Sequence, residues 1–307
     1  MMAVDETKGL SAASRQHVAV MVEEVVGLVR ASHPTVVVDA TVGTGGHSAA
    51  ILEATDTYLI GLDRDADALR AAAERLQPFA SRVTLRQHDF ARIDALLDEL
   101  GVATVGAIVA DLGMSSFALD DPERGFSFRL EGPLDMRMDQ RQALRAYDLV
   151  NEESEEELAR LIHDYGEERD SRRIARAIVA ARRRAPLAST GDLRAVVEAT
   201  VGGRRYGGLN PATRTFQALR MAVNRELPSL ERFLEEAPRR LETEGRIVML
   251  AYHSLEDRRI KQRFRKLSTS GEFTLITRRA ARPSEGEVAR NRRARSARLR
   301  CLARAAN

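Results

Sequence analysis

The stretch VDATVGTGGH, residues 38–47, passes from a β-branched run into a helical pattern through three glycines, Gly43, Gly45 and Gly46. Glycine is the residue that lets a backbone bend sharply and lets a ligand come close to it, so a strand that ends this way reads as a turn that seats a ligand. Twenty residues beyond Gly43, Asp63 closes a second β-branched run, Tyr58 to Asp63, where a carboxylate can accept hydrogen bonds from both hydroxyls of a ribose. A glycine loop alone is weak evidence, since a tight structural turn beside a surface aspartate has the same letters. Loop, strand context and acid together indicate an adenosine-containing cofactor. The dinucleotide fingerprint places a third glycine where this chain has Ser48, which counts against a nicotinamide cofactor.

Outward from this turn the first third alternates β-branched runs with helical spacing, the mark of βαβ units on a parallel sheet. Strands are expected over 35–41, 58–63, 82–88 and 105–111, with helices over 66–76 and 93–100 between them. The next good strand, 246–252, comes more than a hundred residues later, whereas a parallel crossover needs only about a dozen. The intervening chain carries helix signals. Ser154 with Glu157 has the form of a capping box, and Ile174, Ala177, Ile178 and Ala181 make a stripe. Leu193, Val196 and Val197 follow the cap residues Ser189 and Thr190, and Asn210-Pro211 opens a helix carrying Phe216, Leu219 and Val223. The expected organisation is an α/β domain (1–118), an inserted all-helical domain (119–213), and the remainder of the α/β domain (214–307), with a last strand over 273–277.

The 307 residues are 44% apolar and 30% charged, enough for a full core, and the longest apolar stretch, Ala19 to Val29, is broken by Glu23 and Glu24. No membrane span or secretion series is read, and the cytoplasm is the expected location. The single cysteine, Cys301, excludes an internal disulfide and a cysteine-based zinc site. Net charge is +3, with lysine only at positions 8, 261 and 266; the other basic residues are arginines, which suit phosphates but also accumulate for reasons unrelated to binding. From Arg278 to Arg304 ten arginines face two glutamates, Glu285 and Glu287, so this basic tail is expected beside a polyanion.

Beyond the cofactor half, the chain resembles the MraW (RsmH) family of small-subunit rRNA cytosine-N4-methyltransferases over nearly its whole length. The family's motifs stand here as DATVGTGGHS (39–48), GLDRDADAL (61–69), DLGMSS (111–116), DDPERGFSF (120–128) and GPLDMRMD (132–139). They continue as YGEERDSRRIARAI (165–178), NPATRTFQALRMAVNREL (210–227) and YHSLEDRRIKQRF (252–264). The resemblance implies a Rossmann-like class I methyltransferase sheet with an inserted helical substrate-recognition domain and S-adenosylmethionine as cofactor. It implies a decoding-site cytidine of 16S rRNA, in an assembled or nearly assembled small subunit, as target. No membrane and no metal are implied, and a homodimer is left open. Carried over by position, the cofactor contacts fall on Gly45, Gly46 and His47 of the loop that Gly43 opens, and on Asp63, Phe90 and Asp111. His88, Asp89 and Phe90 look like the adenine-contacting turn of class I methyltransferases, although Phe90 alone would suit a core. Ala118 stands where the family has a polar cofactor contact, and Arg292 replaces a proline in the tail motif.

The amino group of cytosine is a poor nucleophile because its lone pair is delocalised into the ring. A methyltransferase must align it with the methyl and accept its protons. Asp111, ending the fourth strand, is where such an acceptor belongs; amino-methyltransferases of DNA follow that residue with two prolines and an aromatic, whereas Leu112, Gly113 and Met114 follow here, so Asp111 equally suits the cofactor. His253, Ser254, Glu256 and Asp257 are expected on the opposite lip, His253 as either a catalytic base or a structural residue. Asp135 and Arg137 form either an ion pair or a substrate clamp. Arg169, Arg172, Arg173 and Arg176, with Arg182 to Arg184 and the tail, are expected to grip RNA phosphates, against the plainer reading of solvated helix faces. The competing functions are a methyltransferase with another RNA, protein or small-molecule acceptor, a noncatalytic RNA-binding assembly factor, and a dinucleotide oxidoreductase.

Overall fold

The computed structural model describes residues 19–114, 116–202 and 210–306; Lys8, Ser115 and the 1–18 end of the first expected domain lie outside them. One sheet organises the chain, with β1 (Val36–Asp39), β2 (Tyr58–Asp63), β3 (Val83–Gln87), β4 (Val105–Asp111), β5 (Leu241–Ala251), β6 (Phe273–Leu275) and β7 (Arg298–Arg304) in the order β3-β2-β1-β4-β5-β7-β6. The first five run parallel, and β7 runs antiparallel to both β5 and β6. Successive side chains of a strand point to opposite faces. Val38, Ile60 and Ile108 therefore pack on one side, against Leu96 and Leu97 of α4 (Ile93–Glu99), Phe233 of α11 (Glu226–Glu236) and Phe264 of α12 (Ser254–Ser268). Their neighbours Val37, Leu59 and Val109 pack on the other, against Val25 and Val29 of α1 (Val22–Arg30), Ile51 of α2 (Gly46–Ala54) and Ala72 of α3 (Ala66–Arg75). Burial on both faces is why these strands read as unbroken apolar runs.

Between β4 and β5 the chain builds a second core from α5 (Ser116–Asp120), α6 (Ala146–Glu152), α7 (Glu155–Gly166), α8 (Ser171–Arg182), α9 (Thr190–Val201) and α10 (Ala212–Val223). Leu158, Ile162, Ile174, Ile178, Leu193 and Val197 fill it, and Phe216, Leu219 and Val223 of α10 belong to it, so this core runs from Ala118 to Val223. Gly166 lets α7 and α10 approach: a Cβ there would sit 2.6 Å from the Arg214 carbonyl oxygen. Ser189 and Asp192 form a complete capping box on α9, while Ser154 caps α7 alone, because the Glu157 carboxylate is held by Arg160 instead of returning to the cap. Asn210 Oδ1 accepts from the Ala212 amide at 2.8 Å, starting α10 as the Asn-Pro pair implies.

The basic stretch read as a tail ends in β7, a strand the sequence reading did not expect. Its Leu299 and Cys301 face one core and Leu302 the other, and the intervening Arg300 is 8% exposed. Asp257 neutralises it, accepting from Arg300 Nε at 2.7 Å and Arg298 Nη1 at 3.0 Å. Among the described residues no helix is long and apolar enough to cross a membrane. A further short helix, α13 (Glu285–Arg290), lies in the connection from β6 to β7.

Candidate active site

β1 has β2 on one side and β4 on the other, so the strand order reverses there, and in open α/β sheets ligands bind beyond the carboxyl ends of the strands at such a point. A cavity of about 560 Å³ opens there, between the strand ends and the helical core. Its first wall is the turn after β1. Gly43 and Gly45 hold φ of +50° and +79°, a left-handed backbone that residues with a Cβ adopt only at a cost. The turn is tied to Asp63, whose Oδ2 accepts from the Gly43 amide and whose Oδ1 accepts from the Asp65 amide, both at 2.9 Å. Each oxygen keeps a lone pair, and burial pushes this carboxyl up to about 6.

Asp39 shares the turn and was not singled out by the sequence. It is 2% exposed, and its Oδ2 accepts from Ser48 Oγ at 2.6 Å while Oδ1 accepts from the Thr41 amide at 3.2 Å; burial raises its pKa. Ser48, the residue that replaces the dinucleotide glycine, is therefore part of this buried bond. His47 donates from Nε2 to the Val20 carbonyl at 2.8 Å, since a carbonyl only accepts, and turns Nδ1 toward Asp111 Oδ2 at 3.7 Å. The Asp111 amide donates to Thr41 Oγ1 at 2.6 Å, and the Tyr252 phenol stands near the Asp111 carboxylate. Burial, and then the neighbouring Asp111 charge, hold that phenol well above its usual range. Thr44 Oγ1 and Asp111 Oδ1 are buried beside the cavity without a hydrogen-bond partner, which suits a polar ligand. Phe90 lines the cavity, with Phe233 edge-on at 5.1 Å and the Arg64 guanidinium 5.4 Å from its ring centre. Ala118 lines it too and supplies only a methyl group.

The second wall comes from the helical core: Phe126, Phe128, Phe216 and Met138, with the rings of Phe128 and Phe216 edge to face at 5.5 Å. Beyond them Arg220 grips Glu226 through two bonds of 2.7 and 2.8 Å. His253 caps α12: its Nδ1 accepts from the Glu256 amide at 3.4 Å and its Nε2 lies 3.0 Å from Glu256 Oε1, while Glu256 Oε2 accepts from the Tyr252 amide. Both ring nitrogens thus face one residue. Glu226, His253 and Glu256 bring donor atoms within 4.8 Å of one another, and Arg220 already neutralises Glu226.

A model of the MraW methylase family matches residues 14–305. The chain belongs to this family. Relatives include Ribosomal RNA small subunit methyltransferase H of Sorangium cellulosum, 47% identical over 94% of this chain and 91% of that one. Proteins of the same description from Cyanothece sp. (51% identical, covering 85% of each chain) and Acidothermus cellulolyticus (48%, covering 92% of each) are also similar to it. The sheet order is that of class I methyltransferases.

In this MraW methylase, Gly43, Gly46, His47, Asp63, Phe90, Asp111, Ala118 and His253 meet around one cavity, and Gly45 shapes its turn. The arginines of the helical core expected to hold RNA, Arg137, Arg169, Arg172, Arg173 and Arg176, do not line this cavity. Arg137 binds Asp135 through Nε and Nη2, at 2.9 and 2.7 Å, and gives Nη1 to the carbonyls of Gln140 and Gln142, which makes it a brace of its own loop. Arg182 is likewise engaged by the carbonyls of Val150 and Glu153 at the end of α6. Arg173 pairs with Asp170 and donates to Thr200 O, Arg176 pairs with Glu155, and Arg169 and Arg172 are exposed with no ion pair among the described residues. Tyr252 and Arg220 were legible only as letters of longer motifs: Tyr252 stands beside Asp111, far away in sequence, and the Glu226 partner of Arg220 lies across a helix break.

Proposed function

We propose that the protein transfers a methyl group from S-adenosylmethionine to N4 of a decoding-site cytidine in the 16S rRNA of the small ribosomal subunit. The observation that carries the reading is the two-walled cavity: a glycine turn with two carboxylates on the sheet side faces an aromatic wall on the helical side. The names of the 44–51% identical relatives supply the acceptor class.

The turn from Gly43 to His47, Asp63, Phe90 and Asp111 would hold the cofactor. When bound, S-adenosylmethionine supplies an electrophilic methyl group on a sulfonium. Asp63 offers its two free lone pairs to the ribose hydroxyls, and Phe90 offers apolar contact to the adenine. Ala118 adds apolar wall and no hydrogen bond. Phe126, Phe128 and Phe216 would receive the cytosine, which must leave any stack to reach the cavity. The helical core, with α10, is the substrate-recognition unit in this account. Asp111 is fixed through its amide on Thr41 Oγ1, and its carboxylate, with Oδ1 buried and unpartnered, would accept a hydrogen bond from the amine. That contact favours a pyramidal nitrogen and gives its proton somewhere to go. His253, turned to Glu256, positions the lip of the cleft.

The test is an acceptor screen with methyl-labelled cofactor and subunits purified from cells lacking the enzyme. Label should enter small-subunit RNA and neither ribosomal protein nor the large subunit. Label confined to protein, or none on any RNA from an enzyme that binds the cofactor, would overturn the assignment.

A further inference from the structure

The connection between β6 and β7, residues 276–297, holds seven arginines against two glutamates, and its position follows from strand register. Arg298, the first residue of β7, pairs with Ala251, the last residue of β5, and β6 climbs antiparallel beside β7 toward the same end. The whole connection therefore emerges at the carboxyl edge of the sheet, where the cavity opens. Arg293 and Ser296 line the cavity itself, and Arg293 holds Asp120 at 3.2 Å.

This connection is built, not loose. Ala281 bridges to Leu299, and Glu287 Oε1 accepts from the Met21 amide at 2.7 Å. A 3-10 turn, Arg292–Ser296, is capped by the Asn291 side chain and fixed by Ala294 and Ala297, both fully buried. Burying the alanines turns Arg292 and Arg295 outward, next to Arg290 at the end of α13. Arg278, Arg279, Arg282, Arg290, Arg292 and Arg295 are exposed, and none has an ion pair or hydrogen bond among the described residues. The α7–α8 face differs: its groove is lined by Glu155, Glu156 and Asp164 as well as Arg160, Arg172 and Arg176, and of these three arginines Arg172 alone has no ion pair among the described residues. Guanidinium groups without carboxylate partners, held on a fixed scaffold, are what phosphate recognition requires.

We infer that the β6–β7 connection is the phosphate-gripping surface for the RNA that enters the cavity, and that α8 is not. The inference rests on the RNA reading above and specifies its contact surface. The experiment compares wild-type protein, an Arg290→Ala/Arg292→Ala/Arg295→Ala variant and an Arg172→Ala/Arg176→Ala variant. All five of these substitutions are on exposed side chains outside the cavity, and cofactor calorimetry serves as the folding control. Subunit methylation and the salt dependence of RNA binding are both read. The triple variant should raise KM for small subunits about tenfold or more, leave kcat within about twofold, and flatten the slope of log Kd against log salt by about two. The α8 variant should leave all three nearly unchanged. Unchanged KM and slope in the triple variant, with wild-type protein binding and methylating subunits, sinks this inference alone. Wild-type protein that binds no small-subunit RNA sinks the functional reading and this inference together.

Discussion

At the scale of single residues the account turns on two carboxylates. Asp63 lies in an environment that lifts its carboxyl to about 6, so in the empty protein it binds protons the unfolded chain has already lost. Stability of the empty protein should therefore fall as pH rises from about 4 to about 6, the span between the ordinary and the raised value. Cofactor hydroxyls favour the charged form, so affinity for S-adenosylmethionine should rise across the same upper limit. Calorimetry from pH 5 to 8 checks it, and a flat profile would remove Asp63 from the ribose site. Asp63→Asn should erase the pH step and weaken binding at least tenfold, because its amide would place N–H against the Gly43 or Asp65 amide. Asp111→Asn should lose about a hundredfold or more in turnover at saturating cofactor, beyond whatever it loses in cofactor affinity. Normal binding with full turnover would end its catalytic role. Asp63 was legible because the strand-turn-strand pattern fixes its offset from Gly43. Asp39 and Tyr252 were not, since their importance lies in Ser48, Thr41 and Asp111, which only folding brings to them.

At the scale of elements, α10 carries Thr213, Phe216, Gln217 and Arg220 into the cavity, and its placement depends on close contact with α7 at Gly166. Gly166→Ala puts a methyl 2.6 Å from the Arg214 carbonyl oxygen, so α10 must shift. Thermal unfolding should report a loss of about 1–3 kcal/mol, the usual effect of overpacking. Methyl transfer should fall while calorimetric cofactor affinity holds; equal loss of both would show that the two walls are not separable. The parallel strands β1 to β5 were readable because burial on both faces leaves a run of apolar letters. β7 was not, because Arg298, Arg300 and Arg304 interrupt its apolar residues and gave it the look of a solvated tail. Asp257, more than forty residues earlier, is what makes Arg300 tolerable inside. A period-two alternation of Leu299 and Cys301 was the one available signal.

At the scale of the molecule, the helical core and the sheet meet at a cavity where a polar turn faces an aromatic wall, and that juxtaposition separates cofactor affinity from acceptor recognition. The α/β sheet and an adenosine-binding turn could be read from spacing, and the methyltransferase sheet with its cofactor from the longer motifs. Which basic segments keep unpaired arginines could not, since that depends on which carboxylates folding places beside them: Arg137 has Asp135, Arg176 has Glu155, and Arg292 has none among the described residues. The most direct measurement is mass spectrometry of nucleosides from small subunits incubated with the protein and S-adenosylmethionine, after isolation from cells lacking the modification. The account predicts N4-methylcytidine in 16S rRNA, at about one methyl per subunit. Methylation of a ring carbon or a ribose hydroxyl, or an RNA unchanged by an enzyme that binds its cofactor, would contradict it.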